Sequence, residues 1–286
     1  MLGNPYCGIA FEAMPYAAQR IYCMCQVRRL SIIAVLIACF FPVGAPIAAE
    51  EADQSVAEAK HPQPTVVITG ANRGLGLEFS RQFAAAGATV IATVRRPEAA
   101  DDLRKLGVRI ERLDVADSAS VKQFRARIGD LPVDILINNA GIGSWLYRLE
   151  EVDADALDRY FQVNTLGPMR VTQTLLPSLR RGDGRTIVNI TSDLASLERN
   201  TRGAAYGYRE SKAALNMFTR TLAAELRPEG FICVVISPGW VRTDMGGPQA
   251  PQSPSETIAE IIGVVRGLTP KDSGKFLDYR GEELPW

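Results

Sequence analysis

The sequence predicts an α/β protein: a doubly wound, seven-stranded parallel sheet with helices on both faces. Three observations lead to it. Short β-branched runs alternate with amphipathic stretches from residue 65 to the C-terminus, the pattern of right-handed βαβ crossovers. Runs such as VVIT, DILI and ICVVI are apolar without interruption, as strands covered on both sides must be. The first run also ends in a glycine-rich turn, TGANRGLG at 69–76, placed to hold a ligand where strand passes into helix.

In chain order, TVVITG (65–70) is the first strand and 75–86 the helix leaving its turn. ATVIATV (88–94) follows, then a helix over 97–106, the strand VRIERLDV (108–115) and a helix over 118–128. VDILINNAG (133–141) is the fourth strand, followed by one long helix over 153–179. RTIVNITS (185–192) is the fifth, and the helix over 206–226 is rich in good helix formers and apolar residues such as Ala213, Ala214 and Leu215. FICVVISPG (231–239), a helix over 255–267 and GKFLDY (274–279) complete the set. There are no internal repeats, so 65–286 is expected to be one domain.

Composition narrows the function. Lys plus Arg equals Asp plus Glu, 32 of each, so no electrostatic reason exists to expect nucleic acid. The only histidine, His61, sits in the Pro-punctuated segment KHPQPT. A Ser-His-Asp triad or a His-based metal site inside the domain is therefore excluded, and no metal is expected. Cys7, Cys23, Cys25 and Cys39 all precede the domain, which leaves Cys233 alone inside it, in an apolar strand. Packing, not a disulfide, must hold the domain together.

The first 49 residues have another character. Basic Arg28-Arg29 precedes an apolar run over 30–49, LSIIAVLIACFFPVGAPIAA, and then Glu50-Glu51. That is the layout of a secretory signal. Cleavage after Ala49 is the first reading and an uncleaved membrane anchor the second, with membrane contact only through 30–49. Leu36-Ile37-Ala38-Cys39 has the form of a lipoprotein box, the Arg pair raises twin-arginine export, and Met24 is an alternative initiator that would leave 1–23 untranslated. Residues 50–64 are a flexible linker. The expected location is thus exported or membrane-anchored if the segment operates, and cytoplasmic otherwise.

In the glycine turn, Gly70, Gly74 and Gly76 allow a tight bend, close approach of a pyrophosphate and close helix–strand packing. Asn72, Arg73 and Leu75 lie in the same turn, and the helix N-terminus that follows offers free N–H groups to phosphate. Which dinucleotide binds depends on the end of the second strand. It closes Val94-Arg95-Arg96 with no acid, and Arg73 in the glycine turn is expected to face the same region; guanidinium groups there suit a 2′-phosphate where an acid would suit a free ribose. The expected cofactor is NADP(H) in preference to NAD(H). Further on, Tyr208 and Lys212 lie four apart in a helical stretch and so share a face. A cation beside a phenol favours the phenolate, so Lys212 is expected to lower the Tyr208 pKa. Tyr206 lies six before Lys212 and is expected on another face.

Taken together, these motifs resemble the short-chain dehydrogenase/reductase family, with its Rossmann-like fold, over about 65–286. TGANRGLG resembles the family's cofactor turn, and LDVAD, with Asp114 and Val115, its adenine-side motif. Asn138-Asn139-Ala140-Gly141 resembles the NNAG that steadies the fourth strand and lines the cofactor. FQVNTLG places Asn164 at the family's structural and proton-relay asparagine, NITS places Ser192 at its serine, and YRESK supplies Tyr208 and Lys212. SPGWVRTDM resembles the segment holding the nicotinamide carboxamide, through Pro238, Gly239, Val241 and Thr243. One feature departs: Ser192 precedes Tyr208 by sixteen positions (192 to 208), a few more than usual, the extra length falling in LASLERNTRGAAYG. With PGWVRTDMGG and the GKFLDYRGEELPW terminus, this lengthening is similar to the C-factor-like, sniffer-like carbonyl reductases.

The resemblance implies hydride transfer between nicotinamide and a small-molecule carbonyl or alcohol. Tyr208 would exchange the proton, Ser192 assist it, Lys212 hold the nicotinamide ribose and Asn164 anchor a water. It also implies pairing of two copies through the helices over 153–179 and 206–226. The other class consistent with the motifs is a cofactor-binding sensor or signalling protein with little turnover. Trp145, Tyr147 and Trp240 are candidates for an apolar pocket wall.

Overall fold

The computed structural model describes residues 63–143 and 148–286. The leader, His61, Trp145 and Tyr147 lie outside the described residues. The sheet has seven parallel strands in the order β3-β2-β1-β4-β5-β6-β7. They are β1 (Thr65–Thr69), β2 (Thr89–Val94), β3 (Arg109–Arg112), β4 (Ile135–Asn138), β5 (Thr186–Ile190), β6 (Ile232–Ser237) and β7 (Phe276–Asp278). The order reverses between β1 and β4, and a doubly wound sheet leaves a crevice at the carboxyl ends of the strands at such a point.

The helices are α1 (Gly74–Ala85), α2 (Asp101–Lys105), α3 (Ser118–Ile128), α4 (Ala154–Asn164), α5 (Leu166–Arg181), α6 (Tyr208–Leu226) and α7 (Pro254–Gly267). Strand residues alternate between two faces, and each face has its own core. Val66 and Ile68 of β1 pack with Phe79 and Phe83 of α1, Leu103 of α2 and Ile258, Ile261 and Ile262 of α7. Val67, between them, points the other way, to Phe124 of α3, Leu175 and Leu179 of α5 and Leu222 and Leu226 of α6. Cys233 is buried in this second core, where burial pushes its thiol up to about 12.

Most expected elements are trimmed at their ends, and four of the differences have a clear local reason. The third strand stops at Arg112, because the Asp114 carboxylate accepts the Ala116 N–H at 3.0 Å and turns the chain. The helix expected over 97–106 is a single 3₁₀ turn (Pro97–Ala99) followed by α2. The long helix expected over 153–179 is interrupted at Thr165. Pro168 has no N–H for the Asn164 carbonyl four residues earlier, and its ring crowds that carbonyl; the chain kinks there. The last helix of the site begins at Tyr208, two residues later than expected, because Gly207 adopts φ +76°. Tyr206 therefore lies outside the helix altogether, which corrects its expected place on another helical face.

Gly207 sets where α6 starts. A Cβ there would lie 2.5 Å from Cδ2 of Tyr160 in α4, on a backbone conformation that L-residues resist. Gly207→Ala is expected to cost about 2 kcal/mol of stability, read as a lowered urea midpoint, and to reduce any activity that depends on the placement of Tyr208.

Candidate active site

The crevice at the reversal point is built by two turns locked together. Oγ1 of Thr69 accepts the N–H groups of Asn139 and Ala140, both at 3.0 Å. Nδ2 of Asn139 donates back to the carbonyls of Thr69 (2.9 Å) and Gly70 (3.2 Å). The contact is too close for side chains. A Cβ on Gly70 would lie 2.9 Å from Cα of Ala140, and one on Gly76 would lie 2.3 Å from the Gly70 carbonyl oxygen. The turn thus presents bare backbone at the start of α1, a helix N-terminus suited to phosphate.

Asn72, Arg73, Gly74 and Leu75 line the resulting cleft, with Arg95, Asp114 and Val115 at one end. Ala140, Gly141, Tyr208, Lys212, Pro238 and Thr243 also line it. Not every expected residue faces it. Asn138 is turned into the protein, where Nδ2 donates to Oδ1 of Asn189 (2.8 Å) and Oγ1 of Thr172 (3.2 Å). It belongs to a buried polar chain that continues from Asn189 to Thr219, so its part is to pin β4 to β5. Gly76, Asn164, Ser192, Gly239 and Val241 do not line the cleft either. Arg73, expected to face a 2′-phosphate, instead pairs with Asp244 across the cleft mouth at 2.7 Å, both side chains exposed.

Asn164, Ser192 and the Tyr208–Lys212 pair come from three parts of the chain and converge. The fully buried Asn164 donates to the Ile142 carbonyl and accepts its N–H, each at 2.9 Å, and donates to Oγ of Ser211 at 3.0 Å. It ties the end of α4 to the loop after β4 and to α6. Gly141 lies beside both groups: a Cβ there would be in ordinary contact with Oδ1 of Asn164 (3.4 Å) and Nζ of Lys212 (3.5 Å). Lys212 is buried and its ammonium donates to the Ile190 carbonyl at 2.7 Å. Burial lowers its pKa to about 8.

Tyr208 departs from expectation. Its phenol is pushed up to about 12, chiefly by desolvation; a hydrogen bond with Ser192 opposes this and the Asp193 charge adds to it. The expected lowering by Lys212 fails because the ammonium is spent on the Ile190 carbonyl while the phenol sits beside a carboxylate. Oγ of Ser192 accepts the Leu194 N–H and donates to Oδ1 of Asp193, both at 3.2 Å. Asp193 was not visible as a site residue, because it follows Ser192 in a stretch with no marking pattern.

Arg209 was also missed. It follows Tyr208 and braces the lengthened loop at both ends, donating to the carbonyls of Leu194 (3.0 Å) and Ala204 (2.9 Å). The loop needs bracing, because Ala204 and Ala205 sit at φ +62° and +56°. The C-terminus supplies a third tie. The Trp286 carbonyl accepts from the Glu198 N–H (3.0 Å) and from Oγ of Ser196 (3.2 Å), its ring packing on Phe276 under Arg220. Trp240 is half-exposed, its indole bound to the Gly246 carbonyl at 2.7 Å. Among the described residues there is no group of three His, Cys, Asp or Glu side chains placed to hold a metal, and no helix long and apolar enough to cross a membrane.

A glycine-turn crevice at a topological reversal, with a tyrosine and a lysine opening into it and a serine bonded to the tyrosine, defines a nucleotide-dependent oxidoreductase of the doubly wound class. Comparison with known proteins gives the family. The short chain dehydrogenase family model matches residues 64–254. The C-signal protein of Myxococcus xanthus is 47% identical over 166 residues, 58% of this chain and 100% of that protein. The NADPH-bound carbonyl reductase from chicken fatty liver superposes with a TM-score of 0.74 at 34% identity, covering 78% of this chain and 99% of the other. The carbonyl reductase Sniffer of D. melanogaster gives 0.74 at 33%, covering 79% and 100%. This chain belongs to the short-chain dehydrogenase family.

Removing the Arg209 braces tests whether the loop is held as described. Arg209→Ala is expected to speed amide hydrogen exchange over 194–204 by about tenfold, with the sheet unchanged. Unaltered exchange there would show that the loop holds itself.

Proposed function

We propose that the protein is an NADP(H)-dependent oxidoreductase that interconverts a carbonyl group and an alcohol. The observation that carries this reading is the opening of Tyr208 and Lys212, with Ser192 bonded to the phenol, into the same crevice as the glycine turn. The residues present fit a dinucleotide: the Gly70–Gly76 cradle would be filled by a single Cβ, and the second strand ends in arginine where an NAD enzyme would carry an acid. The related chicken reductase binds NADPH. Gly70, Gly74 and the first N–H groups of α1 would hold the pyrophosphate, Asp114 and Val115 would flank the adenine, and Ala140, Gly141, Pro238 and Thr243 would line the nicotinamide half.

The reduced cofactor, when bound, supplies the hydride. In reduction, Tyr208 then gives its phenolic proton to the carbonyl oxygen as negative charge builds there, and Ser192 donates a hydrogen bond to the same oxygen. A phenol held near 12 is fully protonated at neutral pH, which suits a proton donor. The Lys212 ammonium, four residues along the helix, would hold the nicotinamide ribose. Asn164 positions the lysine's surroundings through Ile142 and Ser211.

A second reading, a cofactor-binding signalling protein with little turnover, is supported by the 47% identity to C-signal. One assay separates the two: NADPH absorbance with the full-length protein and a panel of aldehydes, ketones and quinones. Under the oxidoreductase reading, oxidation proceeds and Tyr208→Phe lowers kcat by about a hundredfold or more, with NADPH affinity retained. Tight NADPH binding without turnover on any carbonyl favours the signalling reading.

The pH profile gives an independent check. kcat/KM reports groups of the free enzyme. Lys212 is charged below about pH 8 and neutral above it, whereas Tyr208 keeps its proton up to about 12. Reduction needs both protons in place, so kcat/KM should fall as pH rises through about 8. A reduction profile flat from about pH 6 to 10 would contradict the role given to Lys212.

A further inference from the structure

Beyond the adenosine end of the cleft lies an open cavity of about 610 Å³, whose wall carries the guanidinium groups of Arg95, Arg96 and Arg112. Arg95 and Asp114 line both spaces, so the cavity continues the cleft. The backbone explains the convergence. Arg112 is the last residue of β3 and pairs in register with Val94, the last residue of β2. Arg95 and Arg96 follow Val94 directly, so all three residues sit at the carboxyl edge of two strands about 5 Å apart and line the same cavity. Arg127 holds the end of β3 in place by donating to the Arg112 carbonyl while pairing with Glu111.

These guanidiniums differ from Arg73, which is tied to Asp244. None of the three has an ion pair or a side-chain hydrogen bond among the described residues. The two acids in the same wall are engaged with backbone: Oδ1 of Asp114 accepts from Ala116 (3.0 Å) and Oδ1 of Asp117 caps α3 at Ala119 (2.8 Å). Three cations against two carboxylates leave the wall positive. A phosphate monoester carries close to two negative charges and matches guanidinium geometry in pairs.

We infer that Arg112, with Arg95, grips the 2′-phosphate of the cofactor and is a specificity-determining residue for it, a position outside the glycine turn and the second strand. This rests on the NADP(H) reading above. Strand pairing places Arg112 and Arg95 on adjacent strands, so a phosphate at the sheet edge is held by both, while Arg73 remains with Asp244 until a ligand draws it away.

The test measures binding to the full-length protein, wild type against Arg112→Ala and Arg112→Lys. The probes are NADPH, NADH, adenosine 2′,5′-bisphosphate and 5′-AMP. Arg112→Ala is expected to weaken NADPH and the bisphosphate by about tenfold while NADH and 5′-AMP stay within about twofold, with Arg112→Lys between. If wild type prefers NADPH and Arg112→Ala binds it equally well, the inference is overturned. Parallel losses for all four probes would overturn it too, since they report a general disturbance of the edge. A wild type with no preference for NADPH over NADH would instead sink the NADP(H) reading itself.

Discussion

The site depends on the lock between the ends of β1 and β4, where Thr69 and Asn139 exchange hydrogen bonds across the point at which the strand order reverses. Each polar group there satisfies another that would otherwise be left without a partner in a tight crevice. The lock brings Gly70 against Ala140, which leaves room only for glycine and exposes backbone at the start of α1. It also aims the chain after Ala140 toward α6. Gly141 then lies beside both Lys212 and Asn164. Cofactor turn and chemical group are thereby placed by one contact.

The chemical end shows how burial and charge divide the work. Lys212 and Tyr208 both lose solvent, and each is driven toward its neutral form: the amine down to about 8, the phenol up to about 12. Asp193 reinforces the phenol's proton and Ser192 opposes it. The balance favours a protonated donor. Holding that arrangement requires strain elsewhere, in Ala204 and Ala205 at positive φ, and Arg209 and Trp286 supply the ties that keep the loop in place.

The α5 and α6 core serves the site as well as stability. Asn138, Asn189 and Thr219 form a buried polar chain between β4, β5 and α6. Such a chain fixes the sheet's register against the helix that carries Tyr208, because each member accepts few other geometries. The kink at Pro168 serves a related end, turning the end of α4 so that Asn164 reaches Ile142 and Ser211.

By itself the sequence determined the sheet, its parallel sense, the glycine turn and the Tyr208–Lys212 spacing, while Asn164 and Ser192 stood out only through the resemblance to a family. Those features are local: uninterrupted apolar runs, glycines at fixed offsets, and an i,i+4 pair are written in nearby residues. The first strand's VVIT and the Tyr208–Lys212 spacing needed no partner to be interpretable. Tertiary structure alone decided what depends on neighbours distant in the chain. Asn138 faces the core because Asn189 awaits it on the next strand. Arg73 turns to Asp244, 171 residues away, and Arg112 comes to line one cavity with Arg95 only through the pairing of β3 with β2. The Tyr208 pKa belongs to this second group, since desolvation and the Asp193 charge are properties of a folded environment and outweigh the helical spacing that suggested the opposite shift.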